Sequence, residues 1–350
     1  MRLRRSSQAV RGGVLVAGLA AVSAVVVFVV LTAAGVGGDS GDQASKTTPH
    51  KPAAARHLTA AQRYQEAVSV HENGTGVSGA PPPPDSFPIP ASSFKAPIAT
   101  YKRYAGRQLG LVATDVTRLR AALKAGSRSR AKAQWRTAWG HYLRLGAVYG
   151  AFGALDTAID GLPGGLPHGV KDQHFTGLHR IEYGLYTGQP LRSLLPVVDR
   201  LATDVRRLRT RVPGTKIDPL DYVTRSHEIL EDAQRDFLSG ADVKWSDEGV
   251  LATAQAASAT SVVFGTIEPL FNNQDAAPHV SNALHGLHET LDAIHRAHHG
   301  TWPTNAQLTH AEHVRLDGAL GAALENLSEV PGAAETSAPP TIPHLPKKTS

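Results

Sequence analysis

Between Ala96 and Val330 the apolar residues recur with the period of an α-helix. Ile98, Ala105, Val112 and Leu119 stand seven apart, and Leu109, Val116 and Leu123 form a companion series, so one apolar stripe runs along a helix that ends near Gly126. The same pattern predicts helices over Ser129–Asp160, Asp172–Tyr186, Leu191–Arg211, Pro219–Ser239, Asp247–Asn272, His279–His299 and Asn305–Glu329. Their ends carry helix punctuation: Asp218 before Pro219 as an N-cap, Gly240 and Gly300 as left-handed C-caps, and Thr304 with Gln307 as a capping box. Strand signals are scarce. Short links between long amphipathic helices predict an all-α fold of two helical-bundle halves, packed end to end or side by side.

The pattern changes outside that region. Arg2, Arg4, Arg5 and Arg11 form a basic flank, and Gly12 to Gly38 holds no charged residue. Val14 to Ala34 gives about 20 residues, the length a helix needs to cross a bilayer. Residues 1–38 therefore read as a signal anchor, with cleavage after Ala34 as the alternative, and the arginines keep that end inside while the rest faces outward. Residues 39–95 read as a spacer with a short helix over 58–71 and a polyproline II stretch at Pro81 to Pro84. The helical domain spans 96–330, and the Pro- and Lys-rich tail, 331–350, is expected to be disordered.

Charge and composition then narrow the function. The formal charge of +6 includes those four arginines, which leaves 32 basic residues against 30 acidic ones, so the basic balance reflects topology and does not imply nucleic acid. With no cysteine, the exported part has no disulfide and depends on its packed core, and lipidation through cysteine is excluded. The only methionine is Met1, so soft copper(I) sites are disfavoured; His, Asp and Glu suit iron, zinc or manganese. The segment Thr176-Gly177-Leu178-His179-Arg180-Ile181-Glu182 puts an imidazole and a carboxylate three residues apart on one helical face, a spacing that can ligate one metal or serve as an ordinary hydrogen-bonded pair.

The blocks Ala151-Phe152-Gly153-Ala154-Leu155-Asp156-Thr157-Ala158-Ile159-Asp160 and Thr176 to Tyr186 resemble successive signatures of the imelysin-like EfeO family, which are extracytoplasmic iron-uptake components. The resemblance extends from Phe94 to Gly332 through Tyr101-Lys102-Arg103-Tyr104, Trp245-Ser246 and Leu327-Ser328-Glu329-Val330-Pro331-Gly332. It implies two helical halves and a metal site at His179 and Glu182, with a ferrous iron permease and a dye-decolourising-type haem peroxidase as partners. Asp156, Asp160 and His174, near His179 in sequence, are candidates to complete the ligand shell. The chain departs from the family at Leu143 and Gly146, where members often carry glutamates, and at Ser246-Asp247-Glu248-Gly249, in place of a Ser-His-Thr-Asp run.

A further histidine set, His285, His288, His295 and His299 with Asp292, flanks the apolar stripe Leu284, Leu287, Leu291 and Ile294. It reads as a polar flank beside a buried seam, or as a pH-sensitive or metal-binding face. His227, Glu228 and Glu231 suit an ordinary exposed face. The expected function is metal binding, foremost iron, in an uptake system. The alternatives are a metal-free scaffold for protein interaction and a metallopeptidase-like hydrolase, for which His179 and Glu182 alone do not supply the two-histidine pair and general base of a zinc peptidase.

Overall fold

The seven-residue stripe becomes the inner face of helix α1 (Lys95–Lys124): Ala105, Leu109, Val112, Val116, Leu119 and Leu123 are all fully buried. Each leucine and valine among them contributes about 1.5–3 kcal/mol by leaving water. This is a computed structural model, which describes residues 89–271 and 276–334, and among the described residues there is no strand. The expectations for residues 1–88, including the apolar N-terminal segment and the short helix at 58–71, and for the tail beyond 334 lie outside the described residues.

Gly126, at φ +70°, turns the chain into α2 (Arg128–Leu143), which packs along α1 and buries Trp135, Trp139 and Tyr142. The single helix expected over Ser129–Asp160 is broken twice. At Gly146 a Cβ would come within 2.9 Å of Ile229 Cγ1, and Gly153 takes φ +54°, a left-handed conformation that side chains other than glycine rarely adopt. The last piece is the short α3 (Ala154–Asp160). A loop with a turn at Gly169–Lys171 leads to α4 (Gly177–Tyr186), which starts later than the periodicity suggested because Thr176 is extended and Gly177 sits at φ +78°.

Helix α5 (Leu195–Arg211) lies antiparallel along α1, with Arg120 paired to Asp199 at one end and the Arg209 guanidinium over Gly110 at the other. Helix α6 (Pro219–Asp232) has the expected N-cap: the Asp218 carboxylate accepts from the N–H groups of Leu220 and Asp221 at 2.8 and 3.3 Å. It runs on into a π-helical turn, Ala233–Leu238. Helix α7 (Gly249–Ile267) has a mean hydropathy of 1.4, apolar enough for a membrane span. With two-thirds of that window buried against α1, α2, α6 and α8 (Ala276–Ala297), it is the interior helix of the domain. Gly300, at φ +74°, closes the turn after α8. The capping pair Thr304–Gln307 closes only a 3-10 turn, and the final long helix, α9 (His310–Leu327), starts with its own box, in which Glu312 accepts from the Thr309 N–H and its own N–H donates to Thr309 Oγ1.

The contacts group α1, α2, α4 and α5 on one side and α6, α7, α8 and α9 on the other. One continuous apolar core runs through both groups, joined where α7 lies against α1 and α2.

Candidate metal centre

The centre is made where two short helices meet end on. In α3, Asp156 and Asp160 are four residues apart and so share a face, with Asp160 at the last turn. Gly177 opens α4 so close to that end that a Cβ would lie 2.1 Å from the carbonyl oxygen of Ile159; only glycine permits the approach. The Thr176 hydroxyl donates to the carbonyl of Ala158 at 2.9 Å and ties the same junction. Two residues further on, His179 Nε2 comes within 3.6 Å of Asp160 Oδ1.

The other face of the imidazole is fixed from behind. His179 Nδ1 lies 2.8 Å from Glu182 Oε2, and Glu182 Oε1 accepts from the Ser246 N–H at 2.9 Å. Glu182 is fully buried and His179 is 2% exposed. A carboxylate accepts only, so the ring's Nδ1 carries the proton and Nε2 points toward Asp160. The edge contact with Trp139, 5.7 Å between ring centroids, holds the imidazole plane. Both Glu182 oxygens are thus engaged, and its place in the structure is beneath His179.

His179 and Asp160 open on a cavity of about 280 Å³ whose lining also includes Asp156, Asp232, Arg235, Asp236 and Asp242. The π-helical turn supplies much of this wall. Arg235 Nη2 lies 2.6 Å from both Asp232 Oδ1 and Asp236 Oδ2, so one cation bridges the two acids and offsets half of their charge. Asp156 accepts from the Tyr142 hydroxyl at 2.5 Å. Asp160 Oδ1 is buried with no hydrogen-bond partner among the described residues, 3.6 Å from Nε2 being too long for one, although the side chain keeps 17% exposure toward the cavity.

The electrostatics follow from this crowding. Burial lifts the Asp160 carboxyl to about 7, opposed by His179 and reinforced by the charges of Asp156, Asp242 and Glu182. Burial pulls the His179 imidazole down, but Asp160 and Glu182 outweigh it and bring it to about 9. Asp156 and Asp242 are raised, mainly by burial. An orphaned acceptor, excess negative charge and an oriented imidazole nitrogen together favour a cation. Two donors about 2.1 Å from one ion at a near-tetrahedral angle stand roughly 3.4 Å apart, close to the observed separation. Among the described residues no three His, Asp or Glu side chains converge tightly enough to form a ligand set, and a third protein donor beside His179 and Asp160 would require Asp156 or Asp242 to move inward.

Of the residues singled out from sequence, the structure brings together His179, Glu182, Asp160 and Asp156. His174 is exposed on the preceding loop, where its N–H donates to Asp172 Oδ1 at 2.8 Å, and it does not line the cavity. Asp242 and the Asp232–Arg235–Asp236 clamp were not foreseen; the turn at Gly240 was legible, but not the wall it places beside α3. The substituted run is structural: Ser246 holds Glu182, Asp247 (φ +59°) caps Ala306 through Oδ2 at 2.9 Å, and Glu248 is buried in an ion pair with Arg136. Leu143 lines the cavity wall. The α8 histidines behave as a polar flank: His285 pairs with Glu289 at 3.2 Å, His288 with Ser261 at 2.8 Å, and His295 stacks on Trp302. His227 lies 3.5 Å from Glu231 across one helical turn.

The family model for imelysin matches residues 97–314. Curated relatives described as iron uptake system component EfeO, from Escherichia coli O157:H7, Escherichia coli strain K12 and Shigella flexneri, are each 25% identical to this chain over 235 residues, which cover 66% of it. The chain spans 62% of the length of those relatives.

Proposed function

Because the chain belongs to the imelysin family, we propose that it is the metal-binding component of an iron-uptake system, working outside the cytoplasm and tethered by its apolar N-terminal segment. The observation that carries this reading is the facing pair of His179 Nε2 and the unpartnered Asp160 Oδ1 at the edge of a carboxylate-lined cavity. In this reading iron is cargo. His179 and Asp160 supply the first two donors, Asp156 and Asp242 are in place to close on the ion, and Glu182 orients the imidazole without touching the metal. The N,O donor set also admits zinc and manganese. A permease for ferrous iron and a haem peroxidase of the dye-decolourising type are the partners that the family resemblance suggests.

The hydrolase reading is less well supported. A peptidase's glutamate must be free to take a proton from a metal-bound water, whereas both oxygens of Glu182 are committed, to His179 and to the Ser246 N–H. The test is equilibrium dialysis of the detergent-solubilised full chain against ferrous, ferric, zinc and manganous ions. One tight site is expected, strongly weakened by Asp160→Asn and by His179→Ala. Binding that survives both substitutions, or resides in the α8 histidines and is lost in a His288→Ala/His295→Ala double variant, removes the assignment.

A further inference from the structure

Another cavity, of about 360 Å³, lies on a neighbouring face of α2, away from His179, and the proposed metal function does not use it. Arg136 and His141 of α2 and Arg144 at its C-cap line one side, and Gln255 of α7 and Trp302 complete the wall. Three of these groups are anchored from behind through the nitrogen nearest the stem. Arg136 Nε bonds buried Glu248, Arg144 Nε donates to Gln255 Oε1 at 2.6 Å, and His141 Nδ1 lies 2.8 Å from the buried carboxylate of Asp115. Anchoring of this kind leaves terminal N–H groups of both guanidinium groups for a ligand, although Arg136 also shares one with the Tyr186 hydroxyl. His141 Nε2, which donates when the ring is protonated, and the amide NH2 of Gln255 remain as well.

The lining is therefore rich in donors and poor in acceptors. Its one carboxylate, Glu248, pairs with Arg136 through Oε1 and keeps Oε2 buried without a partner, and among the described residues Arg144 has no acidic partner. Planar guanidinium groups with free paired N–H donors suit carboxylates, which they hold by two parallel bonds. Two such groups eight residues apart, with an amide between them and an indole as an apolar edge, fit a ligand with more than one carboxylate. The volume is at the small end of ligand cavities, which run from roughly 300 to 1,000 Å³. We propose that this cavity is a binding site for a small polycarboxylate anion, independent of the metal centre.

Isothermal titration of the metal-free full chain with citrate, acetate and inorganic phosphate tests this. One citrate per chain is expected, with acetate and phosphate at least tenfold weaker. Arg144→Met should weaken citrate at least tenfold. Thr137→Glu, which places a negative charge at the exposed edge of the cavity without disturbing any anchor, should do the same with the melting temperature unchanged. Arg103→Met, an exposed cation elsewhere on α1, should have no effect. No citrate binding by the unmodified chain, phosphate binding as tight as citrate, or full binding by Thr137→Glu overturns the proposal. Loss of citrate binding in Asp160→Asn would do so as well, because it would place the anion at the metal centre; loss of metal binding alone in that variant bears only on the proposed function.

Discussion

Replacing Glu182 by glutamine changes one oxygen for an NH2 group at nearly constant volume, and the structure dictates what that does to the neighbouring imidazole. Glu182 receives two donors, the fixed Ser246 N–H on Oε1 and His179 Nδ1 on Oε2. A glutamine can accept only one of them. If its oxygen stays on Ser246, its NH2 faces Nδ1, which must then be a lone pair, and the ring proton moves to Nε2 where the metal should bind. If the amide flips, Nε2 is free but two buried donors, the NH2 and the Ser246 N–H, confront each other at a cost of about 1–3 kcal/mol. The metal-competent arrangement is thus about 5- to 150-fold less populated. Loss of the Glu182 charge also makes the imidazolium easier to deprotonate, which helps binding near neutrality. The two effects separate with pH: near pH 9, where His179 of the unmodified chain is about half deprotonated and the competing proton costs only about twofold, the variant should show nearly its full deficit. Manganous ion under argon is a soluble probe for the titration, and 15N chemical shifts of the His179 ring report the tautomer directly. Thermal stability should change little in Glu182→Gln, whereas Glu182→Ala leaves both donors unpaired around a void and should cost about 3–5 kcal/mol. Affinity within twofold of the unmodified chain at pH 9, with Nδ1 still protonated, would refute the positioning role.

Gly177→Ala should destabilise the domain by more than about 3 kcal/mol, because it adds a left-handed strain at φ +78° to a Cβ clash with the Ile159 carbonyl; a melting temperature within 2 °C by calorimetry, on the order of 0.5 kcal/mol, contradicts the packing described. Folded His179, at about 9 against 6.5 unfolded, stabilises the metal-free fold fully below pH 6.5 and loses that contribution as pH rises to 9; Asp160, raised to about 7 from 3.8, adds a further loss between pH 4 and 7. Denaturant midpoints should therefore fall by the equivalent of roughly 2–3 kcal/mol between pH 6.5 and 9, and a flat profile excludes the charged pair. Metal binding at pH 7.5 should release about one proton, from His179, as read by titration in buffers of different ionisation heat.

Much of the architecture was legible because it rests on periodicity. The α1 stripe, the Asp218 cap and the turns at Gly240 and Gly300 follow from local spacing, and the structure places them as expected. What periodicity concealed was tertiary. Nothing in the apolar pattern of Ser129–Asp160 marks the breaks at Gly146 and Gly153, because Gly146 answers to Ile229, far along the chain. The His179–Glu182 pair was legible as a neighbouring pair on one helix, but its spacing is equally good for two ligands or for a ligand and its support. The proposed reading takes Glu182 as the support, and what favours it is the bond from Ser246, which with Trp139 beside His179 comes from separate elements. Asp242 could not be placed beside Asp160 without knowing how the π-helical turn directs the chain after α6.

That turn imposes a counting rule on the chain. In an i to i+5 loop the helix advances by one residue without completing the corresponding rotation, so the stretch from Ala233 to Leu238 holds one residue more than an α-helix of the same span. Deleting one residue there would let the segment relax into a regular α-helix of the same span, so the flanking residues would keep their places while those inside the turn take new directions around the axis. A deletion ahead of Phe237 would disturb the Arg235 clamp on Asp232 and Asp236, whereas the Phe237 and Leu238 carbonyls that receive the Asn305 amide would stay in place. The extra residue therefore shapes the cavity wall and nothing beyond it: its loss would cost the clamp and spare the contacts that follow the turn.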